Sequence, residues 1–240
     1  MARTQGRKSA APRRTRAMKG AATPLVREAH GWLREAARTV KLTEQHCAAA
    51  VAEAAEAIIG CLETGGTVYF CGNGGSAGDS QHLATEFAGR FQVDRSPLAA
   101  VALTTNTSAL TAIANDYGYD EVFARQLEGL GTPGDVLVAI STSGGAESVK
   151  RAIATARRLG MTVVGMTGLR GAAFARSCHV ALVTPHEVTS HIQEGHIAMG
   201  HALCLLVERA IFGDGRASRT RTAARSRARA ASRGGKRART

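Results

Sequence analysis

Read for hydrophobic and polar positions, the chain opens with two helical patterns and then alternates between strands and helices. Residues 24–39 set Leu25, Ala29, Leu33 and Ala36 on one stripe. A second helix is predicted from about Thr43, an N-cap residue type, to Leu62, with Gly65-Gly66 ending it. TVYFCG (67–72) reads as a strand, followed by a Gly-rich loop and a helix to about Phe91. LAAVAL (98–103) is a second strand, and helical stretches follow near 106–115 and 120–130. DVLVAIS (135–141) is a buried strand running into STSGG and a helix over 146–159. MTVVGMTG (161–168) and HVALVTP (179–185) are further strands, and a long helix from about 188 to 211 closes the pattern before Gly213. Continuous apolar strands separated by helices predict an α/β fold, a central parallel sheet covered by helices on both faces.

Length and composition fit one large globular domain or two very small ones: 240 residues, 44% hydrophobic and 21% charged. No apolar run approaches the roughly 18–20 residues that span a bilayer, and no apolar stretch follows the basic N-terminus. The expectation is therefore no membrane and no secretory signal. Cys47, Cys61, Cys71, Cys178 and Cys204 are an odd number, widely spaced and without a CxxC pair. That points to a reducing cytoplasm and away from a disulfide framework or thiolate zinc site.

The formal charge of +12 is unevenly placed. Residues 1–20 carry seven Lys/Arg and residues 216–240 carry ten, with no acid in either, so the remaining 14 bases and 19 acids leave a body at −5. The chain divides into a basic N-terminal extension (1–20), a domain (21–213) and a basic tail (214–240). Both ends are too polar to bury a core and are expected to be disordered. Two readings of the tail stand: non-specific attraction to nucleic acid or another polyanion, or a solvated extension. The first twenty residues also resemble a transit peptide in composition, and Met18 is an alternative start.

Two Gly/Ser loops each follow a strand and open a helix: CGNGGSAGDS (71–80) and STSGGAES (141–148). Ligands of open α/β sheets bind beyond the carboxyl ends of the strands, where helix N-termini offer free N–H groups and the positive dipole end. Neither loop fits GxxxxGK[ST] or GxGxxG, so a small phosphorylated metabolite is expected rather than a nucleotide. One such loop alone reads as a tight turn; two in one domain point to a phosphate site.

The helix after the first loop carries His82 and Glu86, at i and i+4. The last helix carries Gln193, Glu194, His196 and His201, of which Gln193 and His201 are eight residues and about 80° apart in projection. Two histidines, a carboxylate and an amide oxygen can complete a metal site, zinc first, or supply acid and base groups without metal. They also read as surface or capping residues. His30, His46, His179, His186 and His191 show no comparable grouping.

CGNGGSAGDSQHLATEFAGRF (71–91), IANDYGYDEVFARQL (113–127), GDVLVAISTSG (134–144) and HIQEGHIAMGH (191–201) resemble the sugar isomerase (SIS) family, and within it the phosphoheptose isomerases. The similarity runs over roughly residues 24–212. It implies a three-layer SIS sandwich, a homotetramer, and interconversion of sedoheptulose 7-phosphate with D-glycero-D-manno-heptose 7-phosphate through an enediol. By motif it implies sugar-phosphate contacts at Asn73, Gly74, Gly75, Ser76, Asn115, Asp116, Ser141, Thr142 and Ser143. It implies zinc, one per subunit, at His82, Glu86, Gln193 and His201, with Glu86 and His201 catalytic and Glu86 and Gln193 also touching substrate. Two positions depart from the family pattern: Ala146, where a serine is usual, and Ser190, where Asp or Thr is usual. Both bear on phosphate and sugar binding. A rival reading is a non-catalytic SIS protein that binds sugar phosphates to regulate, or that associates with replication initiation. Such relatives lack part of the H-x-x-x-E and final-His set that is complete here. A third, a scaffold driven by the tails, leaves the acidic body and its loops unexplained.

Overall fold

The computed structural model describes residues 23–213. The expectations for both basic ends, and for Met18, lie outside the described residues.

Helix α1 (Pro24–Glu63) is followed by β1 (Val68–Gly72), α2 (Gly75–Ala88), β2 (Ala100–Ala102), α3 (Thr107–Tyr117) and α4 (Ala124–Leu130). Then come β3 (Val136–Ile140), α5 (Glu147–Arg158), β4 (Thr162–Gly168), α6 (Ala172–Ser177), β5 (Val180–Thr184) and α7 (Thr189–Phe212). Where two opening helices were expected there is one. Thr43 does not cap: its hydroxyl donates to the Thr39 carbonyl at 2.9 Å, one turn back inside the helix. Residues 23–34 form a unit separate from Glu35 onward, and in it Leu25 and Leu33 are exposed rather than core. The 120–130 stretch is a 3-10 turn (Tyr119–Glu121) and then α4. α2 stops at Ala88, so Phe91 sits in a loop, and α6 lies in a stretch for which the pattern gave no helix.

All five strands are parallel, in the order β2-β1-β3-β4-β5. The central β1 and β3 are buried at every position, whereas edge strand β5 alternates buried and half-buried. Successive side chains of a strand face opposite sides, and the core divides accordingly. Val68 and Phe70 of β1, with Val136, Val138 and Ile140, pack under α1, α2 and α7 through Ile58, Leu83, Phe87 and Leu203. Tyr69 and Cys71, with Leu137 and Ala139, pack under α4, α5 and α6 through Leu127, Ile153 and Phe174. Each fully buried Leu, Ile or Phe contributes about 1.5–3 kcal/mol against exposure.

The expectation that no run is long and apolar enough to span a bilayer needs correction. α7 passes that test by length and composition, with 44% of its most apolar window buried. Here it is a core helix: Ile192, Met199, Leu203 and Val207 are buried in the domain.

Candidate active site

The strand order reverses between β1 and β3. Chain leaving β1 crosses to β2 on one side, and chain leaving β3 crosses to β4 on the other. The crevice between the two connections is where open parallel sheets take ligands. Gly72 pairs in register with Ile140, so both Gly/Ser loops leave the sheet side by side.

Asn73 ties them together. Its amide nitrogen donates to the Ser148 hydroxyl of α5 at 3.0 Å, and its amide oxygen accepts from the Tyr119 hydroxyl at 2.9 Å. Gly74 takes φ +55 with ψ −120, a combination natural to glycine, to turn the chain into α2. At Gly75 a Cβ would stand 2.3 Å from Gln193 Nε2, so glycine there lets the Gln193 amide close onto the loop. Ser76 is buried, its N–H donating to the Asn73 carbonyl at 3.0 Å. In the second loop Ser141 is buried, and Ser143 Oγ accepts from the Gly145 N–H at 3.2 Å. The Thr142 carbonyl accepts from the Gly168 N–H at 3.0 Å. Ala146 stands at the N-cap of α5 with no side-chain cap. The dipole ends of α2 and α5 thus open on one crevice lined by small hydroxyl and glycine residues, a setting for a phosphate.

Asn115 and Asp116 lie exposed at the end of α3, the Asn115 amide donating to the Asp116 carboxylate at 2.8 Å. They are not in hydrogen bond with either loop among the described residues. Tyr119, three residues on, is the side chain that reaches the first loop.

α2 and α7 run side by side in the same direction. Gly75 meets Gln193, and Gly200 is bare because a Cβ there would stand 2.6 Å from Leu83. This alignment brings His82 Nε2 to 2.8 Å from His201 Nε2, with Glu86 Oε1 3.5 Å from His82 Nε2. The His82 side chain is about half exposed, and that of Glu86 is one-fifth exposed. The His201 ring stacks on Phe91, centroids 5.7 Å apart and planes at 27°. One turn before His82, Asp79 leaves Oδ2 buried without a hydrogen-bond partner. Burial pushes its carboxyl above the usual range, partly offset by His82.

Three of the four proposed metal ligands therefore meet, and the fourth stands apart. Gln193 seats its amide on Gly75, at the phosphate end of α2. Two imidazoles and a carboxylate are donor types that zinc takes. As placed, the two Nε2 atoms bond to each other instead. Ligands at about 2.0–2.1 Å from one tetrahedral zinc would stand roughly 3.3 Å apart. No three His, Cys, Asp or Glu side chains are spread around a common point among the described residues.

Other groups lack this chemistry. All five cysteines are free, and burial pushes Cys71 and Cys204 up to about 12 and Cys61 and Cys178 to about 11, so none is a ready thiolate. The expectation that the remaining histidines are ungrouped fails at one place: the His186 and His191 rings lie edge to face at 4.8 Å, with Glu35 and Glu194 on their nitrogens. His196 is fully buried with neither ring nitrogen hydrogen-bonded; the Thr167 backbone is near but outside hydrogen-bond geometry. Sequence reasoning missed Asp79, Phe91, Tyr119 and Ser148. Asp79 was open to it, standing at i−3 from His82 on one helix face; the others reach the site through tertiary contacts.

The SIS domain family matches residues 31–168. The chain is 53% identical over 165 residues to a phosphoheptose isomerase of Rhodospirillum rubrum, covering 69% of this chain and 88% of that protein. It is 49% identical over 172 residues to one of Burkholderia pseudomallei, covering 72% and 87%. Among solved structures, a phosphoheptose isomerase from Neisseria gonorrhoeae superposes with TM-score 0.73 at 43% identity, over 77% of this chain and 98% of that one. Another, from Francisella tularensis, gives 0.75 at 33% identity, over 78% and 100%.

Proposed function

The chain belongs to the SIS domain family and, within it, to the phosphoheptose isomerases, and from that premise we propose how its residues interconvert sedoheptulose 7-phosphate and D-glycero-D-manno-heptose 7-phosphate. The observation that carries the reading is the His82–Glu86–His201 cluster, borne in part by the helix that springs from the first phosphate loop. At ~1.5 Å rise per residue, His82 stands about 10 Å along α2 from Gly75. The substrate must span that distance, which suits a sugar whose phosphate lies at the far end from its carbonyl.

Asn73, Gly74, Gly75, Ser76, Ser141, Thr142 and Ser143 hold the phosphate, with Asn115 and Asp116 toward the sugar. Glu86 takes the proton from the carbon beside the carbonyl and returns it to the neighbouring carbon. His201 moves the second proton between the two oxygens. His82, hydrogen-bonded to His201, orients that ring. Electrons shift only within the substrate, so no external oxidant or reductant is needed. Of the four residues the family resemblance assigns to zinc, His82, Glu86 and His201 are the donors that the fold brings together, and one zinc ion per subunit on them would polarise the carbonyl as a Lewis acid when bound, with Gln193 left at Gly75. Elemental analysis of chelator-free protein tests that part.

Homotetramer formation belongs to the same proposal, supported by the exposed apolar Leu25, Trp32 and Leu33 on α1. A cytoplasmic location is supported by five unpaired cysteines. Polyanion attraction through the basic tail rests on its ten Lys/Arg without an acid.

Incubating the full chain with sedoheptulose 7-phosphate and following the aldehyde-derived anomeric proton by NMR is the direct test. Appearance of the aldose supports the reading. Binding without turnover would instead mark a regulator.

A further inference from the structure

Below the cluster lies a buried ion pair that touches no substrate position. The Arg95 and Glu208 side chains are each 2% exposed, with Arg95 Nε 2.8 Å from Glu208 Oε2. A buried pair of this kind is a poor device for stability alone, because desolvation offsets much of its attraction. What it holds is more informative.

Arg95 closes the end of α2. Its guanidinium donates to the carbonyls of Glu86 at 2.7 Å, Phe87 at 2.9 Å and Gly89 at 3.4 Å, and to that of Ser96 at 3.0 Å. The last carbonyls of a helix have no partner within it and carry its negative dipole end, so a cation here is favourable twice over. One of those carbonyls belongs to Glu86 itself. Glu208, on α7, spends its remaining acceptor capacity on the loop after α2. It accepts the N–H groups of Phe91 at 3.0 Å, Gln92 at 2.8 Å and Val93 at 3.1 Å. These bonds hold its carboxyl below the usual range against the opposing effect of burial. Glu208 follows His201 by seven residues, two turns, and so shares its face of α7. Pinned by its own N–H to Glu208, Phe91 lays its ring along His201.

We propose that Arg95 and Glu208 are positioning residues for isomerisation. The pair fixes the backbone of Glu86 and, through Phe91, the plane of the His201 ring, so that base and acid on two separate helices keep one spacing. This rests on the reading that Glu86 and His201 are the acid–base pair. Small misplacement of reacting groups is costly; about 1 Å can cost 10²-fold in rate.

The test uses the full chain with Phe91→Leu, which keeps an apolar side chain but removes the ring, and Glu208→Gln. Two readouts are taken: kcat and KM for sedoheptulose 7-phosphate, and the His201 ring resonances in ¹⁵N,¹³C-histidine-labelled protein, assigned by their loss in His201→Gln. The expected result is a kcat lower by about tenfold or more in both variants, with KM within about twofold. The His201 Cε1–H signal should move downfield in Phe91→Leu as ring-current shielding is lost, and should shift or broaden in Glu208→Gln. Unchanged kcat together with an unmoved His201 signal in folded Phe91→Leu would overturn the proposal, as would a change in KM alone. If Glu208→Gln fails to fold, Phe91→Leu decides. The NMR readout is independent of substrate identity, so failure of the heptose reading would show as an inactive wild type with its His201 signal still dependent on Phe91.

Discussion

At its start α2 is set by backbone and small residues: Gly74 in a glycine conformation, Gly75 bare against Gln193, and Asn73 bridging to Ser148 and Tyr119. At its far end it is set by charged side chains sealed from water, Arg95 on the helix carbonyls and Glu208 on the following loop. The difference follows from what each end must do. A phosphate is met by N–H groups and hydroxyls that the sheet and helix termini already aim, so the first end needs little beyond room. The proton transfer proposed for Glu86 and His201, carried on two different helices, needs them at one spacing. Only tertiary contacts can hold that spacing.

The largest expected effect is at the chemical end. Glu86→Gln should lower kcat by about 10³-fold while leaving the thermal midpoint nearly unchanged. Retained turnover in the folded variant would remove Glu86 as the base and, with it, the division between the two ends.

Next comes the platform that both ends share, α7. Burial lowers His196 from about 6.5 to about 4, so the folded protein keeps it neutral while the unfolded chain takes up a proton. Stability should therefore be unaffected by His196 above pH 6.5 and fall as pH drops toward 4, by about 3 kcal/mol in all. Denaturant melts of wild type and His196→Leu across that range check this; the variant should lose that part of the slope. Glu208, lowered in its own right, adds a further loss at more acid pH, as its carboxylate is protonated.

At the phosphate end Gly75→Ala is the sharper probe. The new methyl meets only the tip of a flexible glutamine, so stability should change little, while Gln193 is displaced. A fall of about tenfold in kcat/KM is expected, equal to about 1.4 kcal/mol. An unchanged kcat/KM would show that Gln193 does not act from this position. Tyr119→Phe removes one hydrogen bond to Asn73, of net worth about 1 kcal/mol, and should raise KM about fivefold with kcat held. If kcat fell instead, the two ends would not be separable. Smallest of all, removing residues 1–20 and 216–240 together should leave both constants unchanged and abolish only salt-sensitive retention on a polyanion column.

Much of this was open to reading along the chain. Apolar strand runs and glycine punctuation gave five parallel strands in the right places, because the central strands, buried on both faces, read as continuous apolar runs and the edge strands keep enough of that character. His82 and Glu86 were legible as a pair because four residues of helix put them on one face. Other features were not. The continuous α1 depends on Thr43 bonding back to Thr39, a choice that local composition leaves even with capping. Phe91, Tyr119, Ser148 and the Arg95–Glu208 pair act across separations of tens of residues, and no periodicity marks them. The sequence by itself determined the sheet, the two Gly/Ser loops that leave it and the His82–Glu86 pair, since these follow from short-range pattern and chemistry. Only the tertiary structure decided that α2 and α7 lie parallel, that His82 meets His201 while Gln193 turns to Gly75, and that a buried ion pair fixes their spacing. Those outcomes depend on which helix faces fit together over the same sheet, and packing of that kind is a property of the folded whole.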